Sequence, residues 1–148
     1  MKLKSLLSIG FVMLFLFSCN RVVNEVVFHT SHESKKKDVP FSDVVEYDGL
    51  LYLSGQIGMD HSTRTLVKGG VAEETKQCIA NIKAVLEHHN TSLDKVIKCT
   101  VILNDINDFT VFNEVYKTYF PNKPARTTFA ASGLALNANI EIDVIAAK

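Results

Sequence analysis

The chain has no excess of charge of either sign: 16 Lys and Arg stand against 16 Asp and Glu. A partner such as RNA would be met by a basic surplus or a basic stripe, and neither is there. The one basic run, Lys35-Lys36-Lys37, is flanked by Glu33 and Asp38 and reads as a solvated loop. A glycine-rich loop between strand and helix is missing, which removes the phosphate cradle of a nucleotide-binding fold. Metal-ligand spacing and a G-x-S-x-G nucleophile turn are missing as well, and internal repeats are absent. Long hydrophobic runs are lacking too, since the apolar stretch from Leu6 to Phe17 is too short to span a bilayer comfortably. Cysteine is scarce, with three in 148 residues.

What is present begins with that apolar stretch. Lys2 and Lys4 precede it, and Ser18-Cys19 follows it. A short basic region, an apolar core and a small residue before the cut describe a secretory signal. Cysteine directly after the small residue resembles a bacterial lipoprotein signal, in which it becomes the lipidated first residue. Phe17 is larger than the residue that motif usually has there. Residues 1–19 are therefore set apart as a signal, with cleavage before Cys19 and export to the periplasm or cell envelope. Residues 20–39 follow as an edge strand and loop, and 40–148 as one domain. Hydrophobic residues make up 47% of the chain, enough for a core and too many for disorder. For Cys78 and Cys99 two readings are open. One is a disulfide across a helix–sheet interface. The favoured one is two buried free thiols acting as small hydrophobes.

Along the domain, Asn24–Thr30 reads as a short edge strand, and Ser31–Val39 as a loop. Ser42–Tyr47 and Leu50–Leu53 flank Asp48-Gly49, the signature of a hairpin with a type I′ turn. Gly55, at the end of the second strand, lets a ligand or another backbone come close. Met59–Gly70 reads as a polar loop. Val71, Thr75, Cys78, Ile82, Val85 and Leu86 keep a helical period over Val71–His89. Glu73 and Glu74 fall in its first turn, and His88-His89 form a solvated end. Lys95–Leu103 is a strand with Ile97, Cys99, Val101 and Leu103 on one face. Asp108–Phe120 is a second helix, and Thr127–Ala131 and Asn139–Ala147 are two more strands. The order β-β-β-α-β-α-β-β predicts an α+β fold, a mixed sheet with both helices on one face. Val44, Leu51, Leu53 and Phe129 are expected to make the other face partly apolar, and oligomerisation would bury it.

Two residues look out of place in a plain core. Arg126 stands at the mouth of a strand. Glu141 interrupts the last one, where Ile140, Ile142 and Val144 take one face and Glu141 and Asp143 the other.

Several stretches together resemble the RidA (YjgF) family, also labelled endoribonuclease L-PSP. They are Pro40-Phe41-Ser42, LYLSGQIG (51–58), NIKAVLE (81–87), LDKVIKCTVILNDINDF (93–109), FNEVY (112–116), PAR (124–126) and IEIDVIA (140–146). The resemblance implies a chorismate-mutase-like α+β fold and a homotrimer with clefts between subunits. It also implies hydrolysis of reactive 2-imino and enamine acids to 2-oxo acids and ammonia, without metal or organic cofactor. Arg126 matches the arginine that grips the substrate carboxylate, a task suited to a planar bidentate fork. Glu141 matches the glutamate that directs the attacking water, as a general base can. Ser54 and Gly55 match the cleft-lining strand end, Asn113 matches an asparagine near the cleft, and Thr128 stands where many members have cysteine. Phe41 replaces a tyrosine and brings no hydroxyl. Gly58 and Ala135 stand where prolines are frequent.

Two other functions fit some of these residues. A non-catalytic binder of small carboxylates in the cell envelope would use Arg126 without Glu141. Ribonuclease activity, as in the older label, is opposed by the neutral charge and the lack of a basic, base-stacking groove.

Overall fold

The computed structural model describes residues 25–36 and 38–148. The proposed signal and lipidation site, Cys19 included, lie outside the described residues.

Strand β1 (Val27–His29) lies at one edge, followed in chain order by β2 (Val44–Tyr47) and β3 (Leu50–Leu53). Asp48 and Gly49 join β2 to β3 with φ of 51° and 73°, the paired positive values a type I′ turn needs. Three two-residue strands follow: β4 (Gln56–Ile57), β5 (Met59–Asp60) and β6 (Thr65–Leu66). The stretch read as a polar loop is therefore a β5–β6 hairpin. Its turn is built by the Asp60 carboxylate, which accepts from the backbone N–H groups of Ser62 (2.7 Å) and Thr63 (3.4 Å). Then come α1 (Gly70–His88), β7 (Val96–Leu103), α2 (Phe109–Tyr119), β8 (Ala125–Ala130) and β9 (Ile140–Ala147). The main sheet runs β1-β2-β3-β9-β7-β8, with β4 also paired to β9. All its pairs are antiparallel except β7–β8, so the sheet is mixed, as expected.

Both helices cover one face. Ile140, Ile142, Val144 and Ala146 of β9 point into this layer with Cys78, Ile79, Ile82 and Leu86 of α1 and Phe112 of α2, all at most 1% exposed. Val44, Leu51 and Leu53 belong to this core, so they do not make the opposite face apolar. Cross-strand pairs share a face. Leu51 is opposite Ala146, and Tyr52 is opposite Ile145, so Tyr52 takes the outer face instead. Phe129 does lie there, 45% exposed. Ile97 is a second correction. The register shifts between Val96 and Lys98, and such a bulge reverses the alternation. Val96 is buried in consequence, and Ile97 turns out to solvent.

Cys78 and Cys99 are free and buried, in line with the favoured reading. The Tyr116 hydroxyl donates to Cys99 Sγ over 3.2 Å. Glu74 is not a helix-end charge but a buried carboxylate. It accepts from the backbone N–H of Asn139 at 2.7 Å and from the Asn139 side-chain amide, fixing the approach to β9. Gly58 is required by the same packing, because a Cβ there would sit 2.6 Å from Glu74 Cα. A proline, which carries a Cβ, would make the same clash. The histidine pair at the end of α1 packs against the N-terminal segment, with the His89 ring 4.6 Å from His29 and the His88 ring 4.7 Å from His32.

Candidate functional site

Glu141 sits on β9, opposite Ile102 of β7 and Ile57 of β4, on the face turned away from the helices. Its carboxylate reaches back over Gly55, where a Cβ would fall 1.9 Å from Glu141 Oε1. Gly55 thus gives close approach, as the sequence led us to expect, but to a side chain of the same subunit. Burial, and secondarily the charge of Asp143, raise the Glu141 carboxyl above its ordinary pKa. A carboxylate so placed is a stronger base than one in water. Gly55→Ala is expected to push the carboxylate aside. Since a side-chain end can move cheaply, the cost should fall on turnover, about 10-fold or more, with little change in Tm. Steady-state kinetics beside thermal melts would check this.

Phe41, Ser54, Gly55 and Glu141 line one cleft. The Ser54 hydroxyl donates to the Ser42 carbonyl at 2.7 Å, so it holds the 42–43 segment in place. Around Phe41 the structure departs from expectation. Lys36, read as part of a solvated run, is buried, paired with the buried Asp43 and 5.6 Å from the Phe41 ring centre. Nothing in the Lys35-Lys36-Lys37 run told these lysines apart, because the pairing depends on Asp43, seven residues away. A wider cavity of about 250 Å³ shares Phe41, Gly55 and Glu141 with the cleft and adds Lys36, His61, Arg64 and Leu136.

Arg126 lies elsewhere. It is inside β8, opposite Cys99, on the helix-covered face. Its guanidinium carbon stands 4.6 Å from the Tyr116 ring centre, 5.1 Å from Phe112 and 5.7 Å from Phe109, all on α2. Aromatic faces hold a guanidinium by cation–π attraction while leaving its N–H fork free. Among the described residues it makes no salt bridge, so its charge is not spent on a surface carboxylate. Asn113, Tyr116, Lys117, Lys123 and Pro124 complete a second cavity around it, of about 440 Å³. Thr128 is two residues further along β8 on the same face. Its hydroxyl oxygen is buried and bonds to no described residue.

The expected residues therefore form two half-sites on opposite faces of the sheet. One holds Phe41, Ser54, Gly55 and Glu141, and the other Arg126, Asn113 and Thr128. Within one chain, the strand alternation turns Arg126 and Glu141 away from each other.

Comparison with known proteins identifies the family and the fold. The model of the family described as endoribonuclease L-PSP matches residues 33–148. The chain belongs to that family, the RidA/YjgF proteins. The human 2-iminobutanoate/2-iminopropanoate deaminase is 46% identical over 108 residues, 72% of this chain and 79% of the human one. The crystal structure of a yeast protein superposes with a TM-score of 0.78 at 38% identity, covering 84% of this chain and 99% of the yeast chain. TdcF of E. coli, solved with bound serine, superposes at 0.74 and 26% identity, covering 82% of this chain and 98% of TdcF. The RidA fold expected from the sequence is the fold observed.

Proposed function

We propose that this RidA protein hydrolyses small 2-imino acids, and their enamine tautomers, to 2-oxo acids and ammonia. The observation that carries the reading is the pair of half-sites. One offers an unpaired guanidinium held by aromatic rings, and the other a half-buried carboxylate made basic by burial. The first is built to hold a carboxylate, the second to activate water. The human relative named for this reaction supports it.

Arg126 of one subunit holds the substrate carboxylate by two parallel hydrogen bonds. Glu141 of a neighbouring subunit takes a proton from water as its oxygen bonds to the imine carbon. Glu141 returns that proton to nitrogen, giving a carbinolamine, and then relays the adduct's hydroxyl proton to nitrogen as the C–N bond breaks, so that ammonia leaves a 2-oxo acid. Phe41 adds apolar cover in this scheme and no hydrogen bond. Ser54 and Gly55 shape the Glu141 half-site, while Asn113 and Thr128 flank Arg126.

The assembly is a homotrimer with sites between subunits. Opposite-face placement requires a second chain if one substrate is to meet both residues. The outer sheet face is also apolar enough to need covering: Phe28 is 69% exposed there, Phe129 45% and Tyr52 40%. The leader sequence would export this trimer and anchor it in the cell envelope through Cys19.

The test is to generate 2-iminobutanoate in situ with an amino-acid oxidase and follow its decay by absorbance. Decay accelerated by the purified protein, in proportion to its concentration, supports the reading. No acceleration, with 2-oxobutanoate still binding, would instead indicate a carboxylate-binding protein.

A further inference from the structure

Resting on the imine-hydrolase reading of the Glu141 cleft, we infer that Arg64 is a specificity-determining cation of that cleft, selecting imino acids that carry a second carboxylate on a short side chain. Arg64 lines the same cavity of about 250 Å³ as Glu141, Gly55 and Phe41. A substrate whose imine carbon faces Glu141 has this cavity beside it, open to its side chain.

The other basic side chains of this wall each face a carboxylate. Lys36 is paired with Asp43, and His61 Nδ1 is 3.5 Å from Glu33. Arg64 has no carboxylate partner among the described residues. Its Nη1 is closed off from solvent and bonds to no described residue. Buried N–H donors are nearly always satisfied, and a charged one most of all, so an unbonded guanidinium nitrogen on a cavity-lining arginine leaves the side chain with donor capacity to spare for an acceptor.

The backbone gives a second, independent argument. Arg64 has φ of +61°, a conformation glycine adopts freely and a long side chain does not. The β5–β6 turn imposes it, since the Arg64 N–H donates to the Asp60 carbonyl at 2.8 Å while the Asp60 carboxylate ties down Ser62 and Thr63. A turn that would be relaxed with glycine carries an arginine, and that arginine lines the cavity. Strain of this kind persists only where the surrounding structure over-determines it, and it clusters at ligand sites.

The chemistry of the occupant follows. A guanidinium fork matches a carboxylate, and the remaining wall includes apolar Met59 and Leu136, which suit a short aliphatic linker. With the α-carboxylate on Arg126 of the neighbouring subunit, Arg64 meets the carboxylate at the other end. The preferred substrates are then imines of acidic amino acids.

The experiment compares 2-iminoglutarate with 2-iminobutanoate, each generated in situ by an oxidase, on the wild type, Arg64→Gly and Arg64→Lys. Arg64→Gly suits the turn, so it removes the side chain without endangering the fold. The wild type should favour 2-iminoglutarate in kcat/KM. Arg64→Gly should lower that preference about 10- to 100-fold, with Arg64→Lys in between. A ratio near one in the wild type, unchanged in Arg64→Gly, would overturn the proposal while leaving the hydrolase reading intact. If the wild type accelerates neither imine, the hydrolase reading has failed, and calorimetry decides the fate of Arg64. Weaker 2-oxoglutarate binding in Arg64→Gly then supports its role, and equal binding refutes it.

Discussion

Glu141→Gln is expected to lower kcat for 2-iminobutanoate by about 10²- to 10⁴-fold, the usual worth of a positioned general base. Affinity for 2-oxobutanoate should change little, because the proposed carboxylate clamp, Arg126, lies on the opposite face of the sheet. Stability should move the other way. Burial raises the Glu141 pKa above its ordinary 4.5, so the folded protein holds this proton more tightly than the unfolded chain does. Such a group costs stability as pH climbs from 4.5 through the raised value, and the cost is constant above it. At neutral pH the glutamine variant should therefore melt at the same temperature as wild type or higher, and the gap should close below pH 4.5. The wild-type rate should fall on the acid side as Glu141 takes up its proton. A variant that is slow but keeps the same acid limb would show that another group is the base.

Arg126→Lys is expected to lower kcat/KM about 10- to 100-fold, mostly through KM, and to weaken 2-oxobutanoate binding to a similar degree. Lysine keeps the charge but loses the fork, and its compact, strongly hydrated ammonium sits less well among aromatic rings. Arg126→Ala should be worse still, since it also empties the space beside Tyr116 and Phe112. If Arg126→Lys binds 2-oxobutanoate as tightly as wild type, the guanidinium is a packing element and the carboxylate is held elsewhere. Calorimetry on the two variants separates these outcomes.

Much of the fold was legible because its signals are local. The Asp48-Gly49 turn, the periods of α1 and α2 and the alternation of β9 each depend on residues within a few positions of one another. What escaped the sequence depends on contacts between distant positions. The bulge after Val96 swaps Ile97 out of the core, and only the pairing with β9 reveals it. Lys36 looks like any lysine in a basic run until the fold delivers Asp43 to it. Arg64 lay in a stretch read as a polar loop, and its side chain gains meaning only from a turn that forces a positive φ. For the site, the resemblance to the RidA family named the residues but not their sides. Alternation along β9 does place Glu141 opposite Ile140 and Ile142. The face of Arg126 needed the β7–β8 register and the position of α2, neither of which is written in a local pattern.

That division into two half-sites is the central claim, and mixing inactive variants tests it. Arg126→Ala and Glu141→Gln chains, unfolded together in equal amounts and refolded, should form mixed trimers. In random trimers, about one quarter of the subunit boundaries pair an intact Arg126 with an intact Glu141 across the interface. The mixture should then recover about one quarter of wild-type activity, although each variant refolded alone has almost none. If the mixed trimers form but stay as inactive as their parents, Arg126 and Glu141 serve the same subunit's site, and the reading of a site shared across the interface is wrong.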